Sequence, residues 1–253
     1  MSAGARRPTA AMVVIGDEVL SGRTREGNAW RLSQILTEIG VEMREVRIVA
    51  DDQGAIVEAV NALRARNDHV FTSGGIGPTH DDITADAVAA AFGVSIGVRD
   101  DARAILEAYY KPGELNEARL RMARIPEGAT LILNPVSQAP GFTIGNVHVM
   151  AGVPAVFDAM VETIRPTLKG GAPMLAWALR VNAPEGDMAG PLADLAARRP
   201  EVSIGSYPFY RMGAGSTLVV RSADRAALEA AVAELRAMLA GLGVTDVSET
   251  PPA

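Results

Sequence analysis

The segment of this chain that most restricts its fold is 72–84, which reads TSGGIGPTHDDIT. Gly74, Gly75 and Gly77 follow an apolar run that is typical of a strand, and the residues after Thr84 have a helical pattern with Thr84 as the expected N-cap. A strand, a glycine turn and a helix start place backbone N–H groups where they can meet an anion. The segment therefore favours an α/β fold with a phosphate site, although a tight turn that needs positive φ would also select glycine.

The glycine spacing excludes two common nucleotide loops. A Walker A loop would carry Lys followed by Ser or Thr after its last glycine, and none follows Gly77. The G-x-G-x-x-G spacing of dinucleotide-binding folds is also absent from this segment. The segment must bind phosphate in another way if it binds phosphate at all.

Apolar runs alternate with helical patterns over the first two thirds of the chain. Strands are predicted at 11–15, 41–49 and 69–72, and the intervening helices are expected to be capped by Asn28 and by Asp51 or Asp52. This order predicts a mostly parallel sheet with helices on both faces, a three-layer α/β/α domain over residues 10–170. The remaining elements predicted in this domain are a helix over 101–125 broken at Pro112-Gly113, a strand at 130–133, a hairpin of strands 142–144 and 147–150, and a helix that begins at Pro154.

The pattern changes after a Gly/Pro-rich segment at 169–173. Strand, helix, strand, strand and helix follow in that order, which predicts a second, small α+β domain over residues 172–247. The last residues, 250–253, are expected to form a loose tail.

Composition and charge narrow the function. The chain has no cysteine, which excludes disulfides, thiolate zinc sites and cysteine nucleophiles, and its net charge of −6 argues against nucleic acid as a partner. No apolar run is long enough to span a membrane and the N-terminus lacks the apolar core of a secretory signal, so no membrane partner and a cytoplasmic location are expected.

Carboxylates follow each of the three strands predicted first: Asp17 and Glu18, then Asp51 and Asp52, then Asp81 and Asp82. The carboxyl ends of parallel strands share one edge of a sheet, where open α/β folds bind their ligands. Acids beside a phosphate loop indicate a divalent cation, most simply Mg²⁺. The predicted metal ligands are Glu18, Asp51, Asp52 and Asp82, although one of the pair at 51–52 could instead cap a helix.

Other loops extend the predicted site. The phosphate-binding residues are expected within 73–82, at Ser73, Gly74, Gly75, Gly77 and Thr79. Gly152 precedes the helix that begins at Pro154, whose N-terminus could bind an anion or simply end a turn. Arg23 could contact phosphate or belong to a plain surface loop, and His80 is expected to face solvent.

Several motifs together resemble the molybdopterin-binding-like domain family: IGDEVLSGRTREGNAWRL, FTSGGIGPTHDDIT, IPEGATLILNPVSQAPGF and AGVPAVFDAM, in this order. The chain is similar over 10–168 to the N-terminal part of competence/damage-inducible protein A (CinA-like) and to the corresponding domain of eukaryotic FAD synthases. The resemblance implies a cleft for a phosphate-bearing pterin or nucleotide, with acids at Glu18, Asp51 or Asp52 and Asp82 that place Mg²⁺. It also implies that Asn28 touches the ligand. Arg121-Met122-Ala123 stands where family members often carry Lys-Gln-Ala.

Two functions follow as expectations. The first is metal-dependent hydrolysis of a dinucleotide pyrophosphate such as FAD or ADP-ribose, with Asp82 and Glu18 as catalytic residues. The alternative is a non-catalytic protein that binds molybdopterin or its adenylate during molybdenum cofactor biosynthesis. A third reading, in which the small domain binds a partner such as nucleic acid, is opposed by the acidic chain. A homo-oligomer is expected.

Overall fold

The computed structural model describes residues 6–209 and 215–252, and the chain divides into two compact units, 1–171 and 172–253. None of the helices in the described residues has both the length and the apolar character that a membrane crossing needs.

The first unit contains these strands in chain order: β1 Thr9–Ile15, β2 Glu42–Val49, β3 His69–Ser73, β4 Ile96–Val98, β5 Arg124–Pro126, β6 Thr130–Ile132, β7 Gly141–Ile144 and β8 Val147–Met150. Its helices are α1 Asp17–Leu20, α2 Asn28–Glu38, α3 Gln53–Arg64, α4 Thr84–Phe92, α5 Asp100–Tyr109, α6 Glu117–Leu120 and α7 Pro154–Ile164.

A six-stranded sheet in the order β2-β1-β3-β8-β7-β6 forms the centre of this unit. The pairs β1–β2, β1–β3 and β3–β8 are parallel, whereas β7 pairs antiparallel with both β8 and β6. Successive residues of β1 are buried against opposite layers. Val13 packs with the core of α3 and α4, and Met12 packs with the core of α2 and α7. This arrangement confirms the predicted three-layer, mostly parallel fold.

The region 101–125 was expected to be helical and is only partly so. Two helices, α5 and α6, flank the predicted break, and a 3₁₀ turn spans Arg121–Ala123. The chain then extends as β5, which pairs antiparallel with β4. The prediction was wrong at this end because Pro126 sets an extended backbone before it and Ile125 is buried in the core.

Two predicted helix caps were also wrong. Asn28 is the first residue of α2, and Glu26 Oε1 accepts the hydrogen bond from the Ala29 N–H instead (2.6 Å). Thr84 is the first residue of α4, where its hydroxyl donates to the Gly74 carbonyl (2.9 Å). Both side chains are drawn away from their helices by the loops that follow the parallel strands.

Two buried histidines, His69 on β3 and His148 on β8, link these neighbouring strands. The Lys169 carbonyl can only accept a hydrogen bond, so His69 donates to it through Nε2 (3.2 Å) and accepts at Nδ1 from His148 Nε2 (3.3 Å). Thr143 then donates to His148 Nδ1 (3.0 Å). Burial, together with repulsion from the nearby His69, lowers the pKa of His148 to about 3, so the His148 ring is neutral in this chain of bonds.

The second unit is a helix-covered antiparallel sheet. Its elements are β9 Leu175–Val181, α8 Glu185–Arg198, β10 Ser203–Phe209, β11 Gly215–Ser222, α9 Arg225–Gly241 and β12 Val247–Thr250. The strand order is β10-β11-β9-β12, and the core lies between the sheet and the two helices. The predicted small α+β domain is thus present. The structure adds a strand, β12, that was not predicted and that ends at Thr250, the first residue of the expected tail, because Val247 packs on the core beside β9.

Candidate functional site

A cleft of about 500 Å³ lies at the carboxyl ends of the parallel strands. Its walls come from loops that follow three strands: Glu18 after β1, the segment 74–78 after β3 and the segment 151–154 after β8. Open α/β sheets bind ligands at this edge, since the loops there can vary while the sheet holds them in place. The position is the one expected from the sequence.

The glycine loop, residues 73–77, needs glycine at two of its positions. Gly74 and Gly75 have φ of 107° and 66°. A Cβ on Gly74 would overlap the Ile15 carbonyl, and one on Gly75 would overlap the Thr84 hydroxyl. Thr84 fixes the loop from the other side, because its N–H also donates to the Gly75 carbonyl (2.9 Å). The loop is therefore held rigidly against β1 and α4.

The backbone N–H groups of this loop are available to a ligand. None of the described residues accepts a hydrogen bond from the N–H of Gly75, Ile76 or Gly77, although all three line the cleft. Across the cleft, α7 begins at Pro154, and its N-terminal end brings the positive end of the helix dipole to the same space. This combination suits an anion such as phosphate.

Asn28 clamps two of the loops together. Its Nδ2 donates to Ser73 Oγ (2.8 Å) and to the Gly152 carbonyl (2.8 Å), and the side chain is buried. Gly152 lies so close to the glycine loop that a Cβ on it would come within 3.2 Å of Gly74 Cα. Asn28 and Ser73 therefore act in the structure as supports of the cleft, behind the surface that a ligand would touch.

Glu18 is the carboxylate with the greatest freedom in the cleft. It lies on the short helix α1 and lines the cleft, and none of the described residues donates a hydrogen bond to its side chain. The Glu18 carboxylate lies against the backbone of Gly16, where a Cβ would come within 2.7 Å of the carboxylate oxygens. Glycine at position 16 thus allows Glu18 to lie in this position.

Asp82 is held more firmly on the same wall. Its Oδ2 accepts hydrogen bonds from the Thr79 N–H (2.8 Å) and from the Thr79 hydroxyl. A Cβ on Gly77 would come within 2.6 Å of that oxygen. Glycine is needed at position 77 because Asp82 lies so close to it, and not because the backbone there has a positive φ. Thr79 supports Asp82 and is not itself among the residues lining the cleft. The imidazole of the neighbouring His80 is exposed, as expected.

The acids after β2 are placed differently. Asp52 caps α3 by accepting from the Ala55 N–H (2.9 Å), which is the structural alternative raised by the sequence. Asp51 accepts from the Asp17 N–H (2.9 Å). Burial raises the pKa of Asp51, and repulsion from Asp17, Glu18 and Asp81 raises it further. Neither Asp51 nor Asp52 is among the residues that line the cleft.

The positions of these acids decide how a divalent metal could be held in the cleft. Among the described residues, no three acids or histidines come together as a metal-binding group. The oxygen donors that do face the cleft, Glu18 and Asp82, suit Mg²⁺ when it is bound by one or two carboxylates together with substrate phosphate. The arrangement fits a metal that arrives with a phosphate ligand, and it does not form a cage for a resident ion.

Arg121 is a cation beside the glycine loop. It lines a cavity of about 20 Å³ with Gly75, Gly77 and Asp82, next to the main cleft. Its Nη2 donates to the Asp82 carbonyl at 3.4 Å, while its buried Nε has no hydrogen-bond partner among the described residues. A cavity of this size holds one water molecule, so a water is expected to bridge Arg121 to the loop.

Sequence reasoning missed the wall formed by residues 134–139. Asn134 is buried and organises this loop, because its Oδ1 accepts from the Val136 and Ser137 N–H groups and its Nδ2 donates to the Ala139 carbonyl. The available signal was Asn134-Pro135, a dipeptide that starts turns. Asn134, Ser137 and Ala139 line the cleft, as do Thr24 and Met122.

Comparison with known proteins decides the family. Residues 11–170 match the family model described as "Probable molybdopterin binding domain", which covers more than half of the chain. The chain belongs to this molybdopterin-binding domain family. Residues 173–248 match a second model, "FAD synthase, middle domain". The predicted resemblance is confirmed.

Some relatives of this chain are similar to it in length, and others are much longer. A protein of Pyrobaculum calidifontis is 36% identical over 212 residues, which cover 79% of this chain and 81% of the relative. A "Probable FAD synthase" of Caenorhabditis elegans is 32% identical over 93% of this chain, and the match spans about half (51%) of that relative. A "CinA-like protein" of Citrifermentans bemidjiense is 38% identical over 63% of this chain and 40% of its own length.

A solved structure supports the same family. The protein CinA of Thermoplasma acidophilum, whose function is given as unknown, aligns with a TM-score of 0.61 at 33% identity. The alignment covers 64% of this chain and 99% of the CinA chain.

Proposed function

We propose that the cleft binds a phosphate-bearing nucleotide or pterin and that the protein hydrolyses a dinucleotide pyrophosphate such as FAD or ADP-ribose. The observation that carries the proposal is the set of N–H groups at Gly75, Ile76 and Gly77, which have no acceptor among the described residues and line a cleft that also holds Glu18 and Asp82. Preorganised donors of this kind bind a phosphate and stabilise the charge that develops on it during displacement.

The size and lining of the cleft support an organic ligand larger than phosphate. A volume of about 500 Å³ lies in the usual range for cofactor-sized ligands. Apolar residues, among them Met122 and Val156, line part of the wall and could pack against a flavin, adenine or pterin ring. The match of residues 173–248 to the FAD synthase middle domain makes FAD a reasonable first substrate to test.

Glu18 is our candidate for the general base. Hydrolysis requires a water oxygen to form a bond to phosphorus while the bridging P–O bond breaks and the leaving phosphate takes the electron pair. The proton lost by the water needs an acceptor, and the Glu18 carboxylate receives no hydrogen bond from the described residues. Asp82, held through Oδ2 by Thr79, keeps its other oxygen for orienting the ligand or a metal.

A divalent metal belongs to this proposal as a companion of the ligand. When bound, it would neutralise phosphate charge and lower the pKa of a bound water. Glu18 and Asp82 are the residues that would hold it. The structural roles of Asp51 and Asp52 make them less direct contributors, and Asp51 would act on the metal mainly through its charge.

The alternative is a protein that binds molybdopterin or its adenylate without turnover. One observation favours it: among the described residues no group of three acids or histidines is arranged to hold a metal. Backbone donors and two carboxylates can serve binding alone, so a direct assay must separate the two functions.

The test uses the full-length protein with FAD or ADP-ribose and MgCl₂, and it separates the products by ion-exchange chromatography. We expect AMP together with FMN from FAD, or AMP together with ribose 5-phosphate from ADP-ribose. Glu18→Gln should lower the rate by at least ~100-fold, the scale of losing a general base. The matched control is Glu117→Gln, because Glu117 is exposed on α6 away from the cleft.

Each other outcome has a defined meaning. Calorimetric binding of a nucleotide or pterin without product formation would support the non-catalytic alternative. Hydrolysis that survives Glu18→Gln would remove Glu18 from the role of base. Absence of both binding and hydrolysis would overturn the assignment of the cleft.

A further inference from the structure

The sheet of the second unit has one face that its own helices do not cover. Helices α8 and α9 pack on the face that carries Leu179, Leu218 and Val220, where the core of this unit lies. Side chains alternate along a strand, so Arg180, Thr217 and Val219 belong to the opposite face. We call this opposite face of β9, β10 and β11 the open face.

The open face carries two pairs of an arginine and an aromatic ring. The Arg180 guanidinium lies 3.6 Å from the centroid of the Phe209 ring. The Arg221 guanidinium lies 5.7 Å from the Tyr207 ring and donates to the Tyr207 hydroxyl (3.2 Å). Tyr207 is 49% exposed.

Glycine allows these rings to approach the backbone of the sheet closely. A Cβ on Gly215 would overlap the Phe209 ring, and a Cβ on Gly205 would come within 3.1 Å of the Tyr207 ring. Strand β11 contributes Thr217 and Val219, which leaves a shallow floor about 14 Å long between Arg180 and Arg221, at about 3.4 Å per residue along β11.

The arginines on the open face have no acidic partner among the described residues, in contrast to four other arginines of this unit. Arg198, Arg199, Arg225 and Arg236 each lie within 4.0 Å of a glutamate. Neither Arg180 nor Arg221 forms an ion pair with any described residue, and the strand residues that point to the open face include no Asp or Glu. In an acidic protein, cations left without carboxylates indicate an anionic ligand.

We propose that the open face is a second ligand site, formed by other residues than the cleft, for a nucleotide that carries one or two phosphates. The base would stack on the planar groups of one Arg–aromatic pair, and the phosphates would bind the other arginine. Two arginines match the charge of a mononucleotide. A nucleic-acid strand would require a longer row of cations than this face provides.

The experiment titrates the full-length protein with ADP and follows backbone amide resonances by NMR, with affinities from calorimetry. ADP should shift the amides of Thr217 and Val219. The double variant Arg180→Gln/Arg221→Gln should weaken binding at these amides by at least ~10-fold, the scale of losing one charge-assisted hydrogen bond. Arg225→Gln is the control, because Arg225 is an exposed arginine on α9, on the covered side of the sheet.

Tyr207→Leu provides a second variant that keeps both charges, and we expect it to weaken binding while circular dichroism shows an intact fold. Amides of Gly75, Ile76 and Gly77 report the cleft in the same spectra, so failure of the proposed function and failure of this site are distinguishable.

Three results would overturn the second site. The first is that the amide resonances of Thr217 and Val219 do not shift at saturating ADP. The second is tighter, strongly salt-dependent binding of a single-stranded oligonucleotide, which would make the open face a nucleic-acid surface. The third is protection of these amides by concentration-dependent dimerisation, which would make it a contact between two copies.

Discussion

The loops after β2 and β3 contain the same sequence signal and serve different purposes. Each follows a parallel strand, each carries two adjacent aspartates, and each leads into a helix. After β2, Asp52 caps α3 and Asp51 binds the Asp17 N–H. After β3, the glycine loop intervenes, and Asp82 reaches the wall of the cleft.

The difference lies in the distance between strand and helix. The loop after β2 is short, so its aspartates fall at the N-terminus of α3, where a carboxylate stabilises the helix. The loop after β3 is longer. The Gly75 carbonyl accepts the N–H of Thr84, the first residue of α4, no side chain of the described residues caps this helix, and Asp82 bonds to Thr79 instead. A pair of acids after a strand therefore indicates a ligand site only where neither acid caps the following helix.

The largest expected effect is loss of stability in Gly75→Ala. The substitution requires a positive φ in alanine and overlap with the buried Thr84 hydroxyl. We expect a loss of about 2–4 kcal/mol in the free energy of unfolding, measured by urea denaturation. Gly97→Ala is the matched control, because a Cβ there has open space and no positive φ, and it should stay near wild type.

Asp82→Asn should show that the loop after β3, unlike the loop after β2, contributes to turnover. The asparagine can still accept from Thr79, so the protein should fold normally, but the charge at the cleft is lost. We expect turnover of a dinucleotide to fall by ~100-fold or more. Asp81→Asn, in the same loop with a largely exposed side chain, should matter less; equal effects of the two variants would contradict the assignment of Asp82.

Asp52→Ala should show the opposite behaviour. Loss of the cap at α3 should lower the free energy of unfolding by about 1 kcal/mol, or roughly 2–4 °C in the melting temperature. Turnover per folded molecule should remain unchanged. A large loss of turnover would show that Asp52 belongs to the site and that the comparison of the loops fails.

The smallest expected effect concerns Asp51. Its pKa is higher in the folded protein than in the unfolded chain, so its contribution to stability is greatest below the unfolded pKa and is lost as the pH rises through the folded pKa. At pH 7 the ionised group is therefore unfavourable, and Asp51→Asn should raise the melting temperature by about 1–2 °C. The gain should disappear near pH 3, and an increase that persists there would have another cause.

The first three strands of the first unit and the helices between them could be predicted because their signals are local. The apolar run at 11–15 and the helical spacing of Leu32, Ile35 and Leu36 repeat the burial that the structure shows. The edge of the sheet that holds the cleft followed from the rule for parallel strands.

The roles within the cleft could not be predicted, because they depend on contacts between distant segments. Asn28 looked like a cap and instead joins Ser73 to Gly152, residues that lie far from it in sequence. Thr84 also looked like a cap, and its hydroxyl instead binds the Gly74 carbonyl. The strand β12 was missed because its burial depends on pairing with β9.

The central claim is that the glycine loop binds phosphate through its backbone. The most direct measurement is an NMR titration of the wild-type protein with ADP-ribose and Mg²⁺ that compares amides in the two loops. The account predicts large shifts at Gly75, Ile76 and Gly77 and small ones at Gln53, Gly54 and Ala55, where Asp52 already holds the Ala55 N–H. Saturable binding that leaves the amides of 75–77 unmoved would contradict it.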